Sequence, residues 1–306
     1  MATVTLVQAK LLIQDELVSG VIEDVITVNP IFEVMPFTGI SSNAIEYNRE
    51  NALGDVQSAA VGDTITAKAA ATHTKVTTSL VKIIGDAEVD NLIQETLSDQ
   101  TDQMAYQISS KAKAAARSFQ SQMIVGDGTG NTFEGLLTLC DASQKVTTAT
   151  DGEALAFTLL DELIDLVTAK DGEVDYLMMH GRTLRSYRAL LRGLGGAGIG
   201  EVVTLPSGKK LHMYGGIPIF RNDWIPVNQV QGGSGAVCTT VFAGTFDDGS
   251  RKVGLSGLNT RNNAGIRVNM VGEKEDMDET IARVKWYTSM ALFSKRALAA
   301  LPGITN

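Results

Sequence analysis

The longest periodic signal in the chain lies between Ser98 and Val125. Met104, Ile108, Ala112, Ala115, Phe119 and Met123 recur there at intervals of three and four, the spacing that aligns one face of an α-helix. The stripe is narrow and rich in alanine, so it predicts a helix laid across a sheet with much of its surface left to solvent. Ser98 or Thr101 can cap its start, Asp99 and Asp102 sit near the positive end of its dipole, and Gly126 stops it. A second helix is predicted from Ala154 to Ala169, with Leu155, Leu159, Leu163, Leu166 and Val167 on one side, and a third from Thr183 to Arg192. A different period governs the far end. Ala282, Val284, Trp286, Thr288, Met290 and Leu292 alternate with Arg283, Lys285, Tyr287 and Ser289, which predicts a long half-buried strand. Shorter strands are predicted for Val174 to Met179, Lys210 to Tyr214, Ile217 to Phe220 and Val237 to Ala243. The class is α+β, with one long helix set against a sheet that includes the far C-terminus.

The first forty residues read as an extended, partly amphipathic arm ending in Asn29-Pro30 and Met35-Pro36, because each proline pushes the residue before it toward extended geometry. Next come two β-prone runs, Ile45 to Glu50 and Lys75 to Ile84, flanking a tip of small residues from Asn51 to Ala71 that contains Gly54 and Gly62. That arrangement predicts a long hairpin. A tip with few large apolar side chains has little to bury against its own domain. It reads equally as a loose surface loop or as an arm whose packing partner is another subunit.

Composition narrows the classes. With 306 residues, 44% apolar and 20% charged, the chain has room for one large folded domain or two smaller ones sharing a core. A net charge of -9 argues against a dedicated nucleic-acid binder, while leaving room for a locally basic face. Cys140 and Cys238 stand far apart without a CxxC partner, which fits two buried thiols in a reducing compartment. His73, His180 and His212 are too dispersed to build a zinc site. Asp15, Glu16, Glu23 and Asp24 interrupt the N-terminal stretch, so it does not read as a signal peptide. No apolar run approaches the roughly 20 residues of a membrane span.

Several motifs look like chemistry and fail on context. Gly193, Gly195 and Gly198 form a literal GxGxxG, but a helix precedes it and a strand-like run, Glu201 to Leu205, follows. A dinucleotide fingerprint needs the reverse order. Gly126-Asp127-Gly128-Thr129-Gly130 lacks the lysine of a phosphate loop, and the sixth position from Asp127 is Thr132, where a calcium loop requires glycine. A tight glycine-rich exit from the long helix is the better reading. No GxSxG elbow exists, and His180 has no evident Ser or Cys partner. The cluster Glu273, Glu275, Asp276, Asp278 and Glu279 is interleaved with Lys274 and reads as a solvated loop. Lys111, Lys113 and Arg117 form the one basic group on the long helix. No reactive constellation emerges, so neither an enzyme nor a cofactor is expected.

The order of these pieces carries a resemblance. A long helix that ends in GDGTGNTFEGL, Gly126 through Leu136 and including Glu134 and Gly135, resembles the segment closing the "spine" helix of HK97-fold major capsid proteins. That fold is shared by tailed-phage capsids and encapsulins. Ala60-Val61-Gly62 and the Thr/Val-rich run after it look like the family's extended loop. Further on, MMHGRTLRSYRALLRG and Gly215-Gly216-Ile217-Pro218-Ile219 look like pieces of its axial domain, and Phe242 to Arg251 with Arg296 to Ile304 like its ending. The resemblance spans nearly the whole chain.

It implies an N-terminal arm over 1–40, an extended loop over 41–85, a peripheral domain over 86–135 and 255–295, and an axial domain over 136–254 and 296–306. It implies a major capsid protein that self-assembles into hexamers and pentamers of an icosahedral shell around the double-stranded DNA of a tailed phage. The shell is assembled in the bacterial cytoplasm and found in the virion, without a membrane. The alternative on the same fold is an encapsulin compartment with an enzyme cargo. Subunit contacts are expected at Asn51, Gly54, Gly62, Lys68, Lys75 and Arg261 and at the acidic loop, and Lys111, Lys113 and Arg117 are expected to face the genome. Portal protein, a separate scaffold and a decoration protein are the further partners implied. Because only about forty residues precede the extended loop, either a separate scaffold or assembly without one is expected. Some members of the family join a loop lysine to a peripheral asparagine. Lys68 and Lys75 supply amines here, but the corresponding loop reads EKEDMDE with no asparagine, so no crosslink is expected.

Overall fold

Two sheets share one core, and the long helix lies across the first of them. The computed structural model describes residues 30–97, 103–169, 172–193, 202–205, 208–233, 235–261 and 264–305. It opens with one turn of helix, α1 (Ile31–Val34), and strands β1 (Phe37–Ile40), β2 (Ala44–Ala52), β3 (Thr72–Ser79) and β4 (Val81–Asp90). Helices α2 (Asn91–Leu97), α3 (Gln103–Val125), α4 (Leu136–Leu139) and α5 (Phe157–Thr168) follow. Strand β5 (Tyr176–Met179) then leads into helix α6 (Gly181–Gly193). Strands β6 (Val202–Thr204), β7 (Lys210–Tyr214), β8 (Ile217–Arg221), β9 (Gln229–Gln231) and β10 (Ala236–Gly244) come next. The chain ends with β11 (Leu255–Thr260), β12 (Arg267–Glu273), β13 (Glu279–Leu292) and β14 (Leu298–Ile304).

Strand β13 organises the first sheet. Its first part pairs antiparallel with both β4 and β12, its second with β11, and β1 adds to β11 in parallel. Ala282, Val284, Trp286 and Met290 point from it into the core, as the alternation requires. Beyond Thr288 the alternation ends, because Ser289 and Ala291 are buried as well. Helix α3 covers this sheet with Met104, Ile108, Ala112, Ala115, Phe119 and Met123, each buried. Phe119 is the centre, with ring centroids 4.8 Å from Trp286, 5.3 Å from Phe133, 5.6 Å from Phe32 and 6.0 Å from Phe37. Burying a side chain of this size contributes on the order of 2–3 kcal/mol.

The second sheet runs β14-β10-β5-β8-β7-β6, with β9 against β10. It is apolar on both faces. Tyr176, Met178, Phe220 and Phe242 join the core under α3, while Leu177, Met179, Ile219, Val241 and Ala243 pack on the other side. That other side is covered by Leu159, Leu160 and Leu163 of α5 and by Leu184 and Tyr187 of α6. A sheet covered on both faces reads as continuous apolar runs, which is what β5 and β10 show.

Two sequence expectations need correction, and others fall outside the described residues. The long helix is described only from Gln103, and its expected caps Ser98, Asp99, Thr101 and Asp102 lie outside the described residues. Lys75 to Ile84 is not one strand: it divides at Leu80 into β3, which pairs with β2, and β4, which pairs with β13. The far C-terminus does not belong to the sheet beneath the helix. Strand β14 lies at the edge of the second sheet, although Leu298 and Ala300 reach the shared core. The residues of GLGGAG after Gly193 lie outside the described residues.

Candidate functional site

The turn after α3 is built by its own side chains. The Asp127 carboxylate accepts hydrogen bonds from Thr129 N (3.0 Å), Thr129 Oγ1 (2.6 Å) and Thr132 Oγ1 (2.8 Å). These donors, the Thr129 hydroxyl foremost, hold its pKa down at about 2. Gly128 and Gly130 take positive φ angles of 73° and 63°. Gly126 is needed for a different reason. A Cβ there would lie 2.0 Å from the carbonyl oxygen of Phe133, because the returning chain crosses directly over it. Gly135 N donates to Gly126 O at 2.8 Å, Thr138 Oγ1 donates to the same oxygen at 2.8 Å, and Asp127 and Glu134 form a bridge. The acceptors of Asp127 are directed into the turn, so the segment works as a clasp between α3 and α4.

Strands β2 and β3 form a hairpin with exposed sides, fastened at its base. Tyr47 donates to Leu292 O (2.9 Å) and packs edge-on against Phe293 at 5.2 Å. Arg49 donates from Nη2 to Leu292 O (2.6 Å) and from Nε to Phe293 O (3.2 Å). Asn51 bonds to the Thr74 hydroxyl across the strands, and Lys75 pairs with Glu46 at 2.5 Å. The tip is held by polar contacts. Asp63 accepts from Ala60 N at 2.7 Å, and Gln57 Oε1 accepts from Thr66 N at 2.8 Å and Ala67 N at 2.9 Å. Gly62 supplies the positive φ at the turn, Gly54 lies beside Ala69, and Lys68 is exposed. The tip also carries more apolar surface than its small residues suggest. Leu53, Val56, Val61 and Ile65 are 62% exposed or more.

The acidic segment caps the β12–β13 hairpin. Lys274 sits between Glu279 (3.3 Å) and Glu88 (3.4 Å), and Asp278 accepts from Asn91 Nδ2 at 2.6 Å. Glu273, Glu275 and Asp276 are exposed. Arg261 lies beside the end of β1, where its backbone N–H donates to Ile40 O. The basic group on α3 is split by the helix. Lys111 lies beside Gly85 of β4, and its charge reaches Asp86. Arg117 lines a cavity against α6, β7 and β8. Sequence reasoning missed what surrounds Arg117 there: Arg188, Lys209, Lys210 and Arg221 come from separate stretches that no local pattern connects.

The remaining chemical candidates are structural in their contacts. His180 Nδ1 accepts from Arg182 N at 3.0 Å, at the start of α6, and burial lowers its pKa. Cys140 and Cys238 are buried free thiols, and burial pushes Cys140 up to about 11. Among the described residues no three His, Cys, Asp or Glu side chains converge as a metal site, and no helix is long and apolar enough to cross a membrane.

The phage capsid family matches over residues 9–248. The chain belongs to that family. Its role there is structural, that of a major capsid protein in an icosahedral shell. Solved structures agree on the fold of this capsid protein. The holo-SrpI encapsulin complex from Synechococcus elongatus PCC 7942 matches with a TM-score of 0.70 at 18% identity, over 90% of this chain and 87% of that one. The capsid of a native GTA particle matches at 0.64 and 13% identity, over 90% and 89%. The capsid of cyanophage A-1(L) matches at 0.62 and 12% identity, over 90% and 93%. A search of curated protein sequences gives no match. The resemblance read from the sequence and its α+β, HK97-like class are both borne out by these comparisons.

Proposed function

We propose that this capsid protein forms hexamers and pentamers whose shell encloses the double-stranded DNA of a tailed phage, and that the β2–β3 hairpin closes the shell. One observation carries the second part. Leu53, Val56, Val61 and Ile65 are exposed on a hairpin that is internally ordered and anchored at its base. Exposed apolar groups on a rigid projection gain by burial against another molecule, at roughly 25 cal/mol for each Å² covered. In a shell that other molecule is the next subunit. The division into arm (1–40), loop (41–85), peripheral domain (86–135, 255–295) and axial domain (136–254, 296–306) belongs to this reading. So do subunit contacts through the acidic β12–β13 tip and Arg261. Portal protein, a separate scaffold and a decoration protein are its further partners, with assembly in the host cytoplasm.

Removing residues 51–71 tests the loop. The expected product is a folded subunit or capsomer that makes no closed particle by electron microscopy. Normal shells from the deleted chain would overturn the contact role. The encapsulin likeness favours a second reading, a shell around a protein cargo. Purified particles holding DNA support the phage reading, and particles holding an enzyme replace it.

A further inference from the structure

Cations from separate stretches of an acidic chain meet in one groove. A cavity of 790 Å³ between α3, α6, β7 and β8 is lined by Arg117, Arg188, Lys209, Lys210 and Arg221, with Asp223 the one carboxylate among the described residues that line it. A neighbouring cavity of 320 Å³ shares Arg188, Arg221 and Asp223 and adds Arg182 and Arg185. Seven of the 26 lysines and arginines therefore stand around one acid, in a chain whose net charge is -9. That acid is already engaged, accepting from Arg221 Nε at 2.9 Å. Among the described residues Arg117, Arg182, Arg185 and Lys210 form no ion pair.

Two polar side chains on the groove wall, buried Gln120 and half-buried His212, are held in fixed orientations. Gln120 is 4% exposed, and its Oε1 accepts from the indole N–H of Trp224 at 3.2 Å. An indole can only donate, so the Gln120 amide turns its Oε1 to Trp224, and its Nε2 is buried without a partner. His212 repeats the pattern. Arg188 Nε donates to its Nε2 at 3.0 Å, and since arginine keeps its protons, the imidazole proton sits on Nδ1, which is buried and unpartnered. Burial, then the Arg188 charge, lowers the His212 pKa and keeps the ring neutral. The groove thus presents clustered positive charge beside a neutral imidazole.

We infer that this groove holds phosphate oxygens of a polyanion, the backbone of the DNA inside the shell. The inference rests on the capsid reading and adds the site. The competing occupant of matching sign is the acidic β12–β13 tip of a neighbouring subunit. It fits less well, since Asp278 and Glu279 already have Asn91 and Lys274 as partners, leaving three exposed carboxylates against the groove's cations. Arginine forks pair with phosphate through two parallel hydrogen bonds, which fits a groove lined by several of them.

The test measures binding of a short DNA duplex to unassembled subunits by fluorescence anisotropy across a salt series. The variant carries Arg117→Gln, Arg182→Gln, Arg185→Gln and Lys210→Gln together. If each cation meets one phosphate, the variant loses about 3 to 4 from the slope of log affinity against log salt, at roughly 0.9 per phosphate. Between 50 and 200 mM salt that slope corresponds to roughly a hundredfold of affinity. The pair Arg185→Gln, Lys210→Gln, both at exposed positions, guards against misfolding of the fourfold variant and is expected to lose about half as much slope. Unchanged slope and affinity in both variants overturns the inference. A variant that folds and keeps DNA binding yet fails to assemble assigns the groove to a subunit contact, which also overturns it. Failure of the unaltered chain to form shells would sink the capsid reading and leave the binding measurement to stand separately.

Discussion

Adding one methyl group at Gly126 probes the clasp that closes the long helix. The backbone there has no positive φ, so alanine meets no conformational penalty, and at a helix end it would ordinarily gain a few tenths of a kcal/mol over glycine. Packing reverses the sign. The new carbon would stand 2.0 Å from Phe133 O and 2.6 Å from Gln122 O, both backbone atoms, so the returning strand must move by more than about 1 Å to restore van der Waals contact. That movement breaks the 2.8 Å bond from Gly135 N to Gly126 O and the Asp127–Glu134 bridge. It also draws Phe133 off Phe119, 5.3 Å away. Two backbone hydrogen bonds at about 1 kcal/mol each and an aromatic contact at about 1 kcal/mol give a loss of about 3 kcal/mol. Gly130→Ala is the comparison, because Gly130 has φ 63° and nothing within 4 Å of a new carbon. It costs only the left-handed backbone penalty, about 1–2 kcal/mol. Gly128→Val combines both effects, since its φ is 73° and its new carbon would press on the flexible Glu134 side chain. Urea unfolding of unassembled subunits, followed by the fluorescence of Trp286 beside Phe119, measures all three. If Gly126→Ala costs no more than Gly130→Ala, the close-approach argument is refuted.

Other outcomes follow from contacts already described. Asp141 bonds to Lys295 at 2.7 Å, and that pairing, with Ser143, holds its carboxyl at about 2, below the ordinary 3.8. The ionised form therefore favours the folded state, and its contribution is full above about pH 5 and fades between about pH 4 and pH 2. Asp141→Asn should cost about 1 kcal/mol or less at pH 7 for such a partly exposed pair and much less at pH 2, and an equal cost at both pH values in thermal melts would be inconsistent with this. Arg49→Ala removes two bonds to the Leu292 and Phe293 carbonyls. Faster amide exchange through β2 and β3 with β13 unchanged is the expected result, and unchanged exchange in the hairpin would show that the anchor lies elsewhere. Mature particles boiled in detergent and reductant are expected to run as one band near 32.6 kDa, and a ladder of multimers would show that subunits are crosslinked.

Where a residue's fate depends on its own neighbours along the chain, the sequence declared it. The α3 stripe and the β13 alternation as far as Thr288 were legible because there each element has a single buried face, so burial and spacing coincide. The clasp was legible too, since glycines and an Asx turn are local chemistry. The break at Leu80 was not. Val, Thr and Ile continue through it, and only the partner changes, from β2 to β13. The exposed apolar groups of the hairpin tip were underread because Leu53, Val56, Val61 and Ile65 are spread among small residues. The basic groove was invisible for the same reason on a larger scale. Its cations lie on α3, α6, β7 and β8, and folding alone makes them neighbours.

The single residue between β3 and β4 has a mechanical consequence. Leu80 joins a projecting hairpin directly to a strand zipped along ten register positions to β13, and Leu80 N donates to Asn43 O at 2.8 Å, clamping the outgoing and returning chains together. The hairpin is therefore a lever with a short pivot formed by residues 41–43 and Leu80. A sheet strand continuing past that pivot resists twisting, so tilting the lever loads β4 and, through it, the strand on which α3 rests. Bending of the hairpin against the sheet is therefore resisted at this pivot and at the Tyr47 and Arg49 bonds just beyond it.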